Sequence, residues 1–127
     1  MRRRAEGIVR QARTLIGTKF RPQGRTAAGG LDCVGLVAVA LGVRTPPPDY
    51  ALRGGRVRRL SEALAAAGLA PCERMAPGDV LVLAPGPGQL HLGIFTGTGI
   101  VHADVGLRRV VERPLPLPWP VLGIWRN

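Results

Sequence analysis

The hydrophobic rhythm of the chain changes once. Up to Gly68 apolar residues recur at helical spacing, and beyond Pro71 they alternate. In residues 3–16, Ile8, Ala12, Leu15 and Ile16 share one side and arginines fill the other, which predicts an amphipathic helix closed near Gly17. Residues 33–41, CVGLVAVAL, are apolar all round and predict a buried helix that stops at Gly42. A third helix is expected over 58–67, with Ser61 near its start and Gly68 at its close. Residues 18–31 and 44–57, the latter holding TPPPDY and RGGR, read as loops. Further on, DVLVLA (79–84), LHLGIFT (90–96), GIVHA (99–103), RRVVER (108–113) and VLGIWR (121–126) read as strands separated by Gly and Pro clusters, with PLPLPWP as an extended approach to the last. Helices followed by an antiparallel sheet predict an α+β fold, and 127 residues without an internal repeat predict one domain, 1–127.

Composition narrows the function classes. No run approaches the roughly 18 apolar residues of a membrane span. The basic start, MRRRAEGIVRQARTLIG, lacks the continuous apolar stretch of a secretion signal, so the expectation is cytoplasmic synthesis, with any work outside the cell depending on another carrier. The formal net charge is +10, almost all of it arginine, with Lys19 the sole lysine. A basic surface suits anionic partners, although an Arg-, Ala-, Gly- and Pro-rich composition produces the same excess without selection for binding. The arginines are scattered and aromatic residues make up only 4%, which weakens a base-stacking reading, and nucleic acid is not the expected partner.

The chemistry concentrates on GLDCVGLVAVA, residues 30–40. Asp32 is a good N-cap, which sets Cys33 at the first turn of the buried helix, where unpaired N–H groups and the helix dipole favour a thiolate. Gly35 leaves that turn bare for a substrate backbone. Cys72, in APCERM, has neither a cap nor a base and reads as a packing residue; a disulfide between the two is not expected without a route to an oxidising compartment. A nucleophilic cysteine needs a base, and both histidines fall in one predicted hairpin, HLGIFTGTGIVHAD. With Gly97 and Thr98 as an even turn, Ile94 faces Val101, and His91, His102 and Asp104 share a face, the two histidines as diagonal neighbours; an odd turn would separate them. Leu92, Ile94, Val101 and Ala103 then form the opposite, apolar face. Two His and one Cys lack the paired spacing of a structural zinc site, so neither a metal nor another cofactor is expected.

LDCVGLV, APGDVLVL and HLGIFTGTGIVHA, with IGTKFRPQG ahead of them, together resemble the blocks of the NlpC-type cell-wall peptidases, a papain-like cysteine peptidase family. The resemblance spans roughly residues 5–125 and is nearest to the compact, signal-less branch linked to phage tails. It implies a papain-like fold, Cys33 as nucleophile, His91 as general base and His102, in preference to Asp104, as the residue orienting it. It implies the peptidoglycan stem peptide as substrate, in particular the bond between D-glutamate and a diamino acid, and tail-like particle proteins as partners. The family pattern has Tyr at Phe20 and Ser at Val34, and a hairpin one residue longer. Phe20, Gln23, Asp32 and Val34 are therefore candidates for substrate contact or oxyanion donation, Gln23 through its side-chain amide. Alternatives are an amidase or acyltransferase using the same thioester, and a catalytically weak particle component that binds cell wall.

Overall fold

The computed structural model describes residues 2–44 and 57–127; the expected TPPPDY–RGGR loop lies almost entirely outside them. The elements are α1 (Arg3–Thr14), β1 (Arg25–Thr26), β2 (Gly30–Leu31), α2 (Cys33–Leu41), α3 (Val57–Ala66), β3 (Ala70–Cys72), β4 (Val80–Leu83), β5 (His91–Phe95), β6 (Gly99–Asp104), β7 (Arg109–Pro114) and β8 (Val121–Arg126). The α+β reading holds.

α1 buries Ala5, Ile8, Val9 and Ala12; of the expected stripe Ile8, Ala12 and Leu15 are buried, while Ile16, past the helix end, is exposed. α2 is buried on all sides except at Val39, as its uniform apolarity predicts, and Gly42 closes it in the left-handed conformation (φ 74°). Arg4 on α1 donates to the carbonyl of Leu41, which places a cation at the C-terminal end of α2. α3 starts at Val57, so Ser61 lies inside the helix; Leu60 and Leu64 anchor it.

β3 to β8 form one antiparallel sheet in the order β3-β8-β4-β5-β6-β7. β3 is an edge strand that alternation misses, since Ala70-Pro71-Cys72 is short and carries a proline tolerated only at an edge. Loop 18–31 likewise holds an unforeseen two-residue hairpin pairing Arg25 with Leu31 and Thr26 with Gly30.

The larger core joins α1, α2 and α3 to Val80, Val82, Leu92, Ile94, Val101, Ala103 and Val110 of the sheet. On the other face Leu81, Leu83, Phe95 and Ile100 are also buried, against Leu117, Trp119 and Ile124. PLPLPWP is therefore more than an approach to β8: its Leu117 and Trp119 cover this second face. That is why all four residues of β4 are buried, where a sheet with one wet face would show alternation. Just before β4, the fully buried Asp79 carboxylate accepts from the Ala76 N–H (2.8 Å) and from Arg126 Nε (2.8 Å) and Nη2 (2.9 Å) of β8.

Candidate active site

Asp32 organises the start of α2. Its Oδ1 accepts from the Gly35 N–H (2.8 Å) and from Arg25 (2.8 Å), and its Oδ2 accepts from the Gln23 N–H (2.9 Å). The carboxylate thus caps the helix and pins loop 18–31. Gln23 sits in the left-handed region (φ 58°) with its side chain in solvent, fixed beside the helix start by its own N–H. Gly35 is bare for an internal reason: a Cβ there would strike the Gly24 carbonyl oxygen, so the space belongs to the chain's own loop and not to a substrate.

Cys33 is buried, and the N–H groups of Leu92, Cys33 and Val34 favour its thiolate. Burial outweighs them and, with Asp32 adding to it, pushes the thiol up to about 12. Burial therefore opposes the thiolate that the helix start favours. Val34 puts its isopropyl group in the core and offers the site its N–H instead. Phe20 packs against that core, with its N–H on the Arg108 carbonyl (3.0 Å). Both cysteines are free thiols; Cys72 lies on edge strand β3.

The β5–β6 hairpin has the even-turn register: Ile94 pairs with Val101 and Phe95 with Ile100. His91 and His102 meet on one face, Nε2 of His91 lying 2.9 Å from Nδ1 of His102 with the rings nearly perpendicular. The N–H of Leu92, the residue after His91, is the chief group favouring the Cys33 thiolate, which brings the helix start to the beginning of β5. Burial and His102 lower His91 to about 4, against a smaller upward pull from Asp104. Burial lowers His102 too; Asp104 opposes this and Arg113 adds to it. Asp104 lies 3.9 Å from Nε2 of His102 through Oδ2, while its Oδ1 accepts from the Leu107 N–H (2.9 Å).

One contributor was invisible to periodicity. Trp119 stands edge-on to both imidazoles, with centroid distances of 5.6 Å to His91 and 5.4 Å to His102, and carries the Arg113 guanidinium on its ring at 5.5 Å. A lone tryptophan between prolines was its only sequence signal. Among the described residues no cluster of His, Cys, Asp or Glu is arranged to hold a metal, and no helix is long and apolar enough to cross a membrane.

Helices on one face of an antiparallel sheet, with a capped helix-start cysteine beside a strand that bears a bonded histidine pair, define the papain-like class. More narrowly, the chain folds as an NlpC/p60 domain. It is similar to the P60 domain of a Mycobacterium avium subspecies paratuberculosis antigen at 18% identity and TM-score 0.64, over 96% of this chain and 92% of that one. It is similar to RipB, a peptidoglycan hydrolase of Mycobacterium tuberculosis, at 22% identity and TM-score 0.63, over 97% of this chain and 64% of that one. RipD of the same organism, a non-catalytic NlpC/p60 domain protein adapted to peptidoglycan binding, is 14% identical with TM-score 0.64, over the whole of this chain and 98% of that one. No protein-family model matches the sequence, and no curated protein matches it.

Proposed function

We propose that this chain is a cysteine peptidase that cleaves an amide in the peptidoglycan stem peptide, the bond between D-glutamate and a diamino acid being the expected site. The observation that carries the reading is the 2.9 Å His91–His102 contact, with His91 adjacent in sequence to Leu92, whose N–H favours the Cys33 thiolate. The fold it shares with RipB adds support. With Nε2 of His91 engaged by His102, Nδ1 is the nitrogen left to take the thiol proton. A neutral thiol beside a neutral imidazole means that the proton moves as attack develops, so His91 acts as a general base and not as half of a standing ion pair. Sulfur attacks the amide carbonyl, and the Cys33 N–H at the helix start receives the oxyanion. His91 returns the proton to the leaving amine, and water then hydrolyses the thioester.

Digestion of purified muropeptides with mass analysis of the products tests this. Cleavage by the parent protein and none by Cys33→Ala is the expected result; an intact substrate under both overturns it. Cleavage of an amide elsewhere, or acyl transfer, would move the assignment to an amidase or transferase. One observation favours a second reading, a wall binder like RipD: the Cys33 thiol is buried, and RipD shares the fold over the whole of this chain. Retention on sacculi without product formation would select it. Delivery by a tail-like particle belongs to the proposal through the sequence resemblance alone, and co-fractionation with such particles tests it.

A further inference from the structure

The arrangement beyond His102 has a direction that the triad leaves unexplained. His102 is 1% exposed and its Nε2 has no hydrogen-bond partner among the described residues. The charged group facing that nitrogen is Asp104, with Oδ2 3.9 Å away. Asp104 is not free to turn: Oδ1 is held by the Leu107 N–H in the β6–β7 turn, which leaves Oδ2 toward the ring.

A neutral imidazole carries one N–H and one lone pair. Next to a carboxylate, Nε2 of His102 is better as the N–H, because a lone pair there would be repelled. Nδ1 of His102 must then be the acceptor, and Nε2 of His91, 2.9 Å away, must bring the proton. That leaves the lone pair of His91 on Nδ1. The opposite order would place a proton on Nδ1 of His91 and block it as a base. We propose that Asp104 sets the tautomers of both imidazoles and is thereby a positioning residue for His91, one step behind His102.

The inference rests on the peptidase reading for its kinetic consequence but not for its spectroscopic one. The probe is the ring-nitrogen NMR spectrum of the Cys33→Ala protein at pH 7.5, without substrate. Both rings are expected as Nε2–H. Asp104→Asn can keep its oxygen on the Leu107 N–H and turn its amide NH2 toward His102, which should move both rings toward Nδ1–H. In the Cys33 protein, Asp104→Asn should lower kcat about 100- to 10,000-fold with KM little changed, between the loss of a remote partner and the full cost of a wrong histidine tautomer. Asp104→Glu should restore the parent tautomers. Nδ1–H on His102 in the parent, or tautomers unmoved by Asp104→Asn, overturns the inference; if that variant fails to fold, the parent tautomer decides. A reversed tautomer in a protein whose parent cleaves nothing would sustain this inference while the peptidase reading fell.

Discussion

Lowering the pH should unfasten this protein through His91. Its imidazole falls from an ordinary 6.5 to about 4 because it is buried beside His102. The unfolded chain therefore binds the proton more readily than the folded one. The resulting stabilisation is complete above pH 6.5 and is lost as the pH falls toward 4. A drop from 6.5 to about 4 corresponds to about 3 kcal/mol, a large part of the roughly 5–15 kcal/mol that holds a domain together. The assay is urea denaturation at pH 7.5 and pH 4 for the parent and for His91→Gln, which cannot titrate. Carboxylates such as Glu112, held low by Arg13, lose stability over acidic pH in both proteins and cancel in the comparison. At about 1–3 kcal/mol per molar urea, the parent midpoint should fall by about 1–3 M more than that of the variant. Equal falls would show that His91 is not held neutral by the fold, and the argument for a resting neutral pair would go with it.

Three further outcomes follow from the geometry. Arg126→Ala leaves the fully buried Asp79 carboxylate without its bidentate partner and should lower the urea midpoint, with Asp79→Asn added to it recovering most of the loss. Cys33 is raised from 9 to about 12, so its contribution is complete below pH 9 and lost as the pH climbs through about 12; between pH 8 and 10.5 the parent should lose about 2 kcal/mol more than Cys33→Ala. Trp119→Ala opens both imidazoles to water, and the NMR titration of His91 should move up toward 6.5; an unchanged titration would mean that Trp119 does not contribute to the burial.

The parts of this molecule governed by local rules were legible in the sequence. Asp32, the apolar run of α2 and Gly42 fix that helix from cap to stop, and the even turn at Gly97-Thr98 brings His91 and His102 together. What escaped was decided by distant packing. A helix start implies a thiolate only if water can reach it; the apolar run announces a buried α2 but does not say whether its first turn opens to solvent. Gly35 reads as open space until the carbonyl of Gly24 is found in it. Trp119 belongs to the site because the chain recrosses the sheet, and a proline-rich segment gives no period from which that path can be read.

The placement of β8 between β3 and β4 has a temporal consequence. During synthesis the ribosome releases β4, β5 and β6, with both histidines, before the strand that joins β3 to β4 exists. Until residue 126 emerges, Asp79 has no counter-ion from Arg126, and until residues 117–119 emerge the second face of the sheet lies open. The nascent chain thus carries its cysteine and histidines without the scaffold that sets them, and assembly must wait for a long-range insertion of the kind that folds slowly. A proteolytic nick near Val121 would reverse the sequence of events, freeing β8 and with it the Arg126 counter-ion of Asp79.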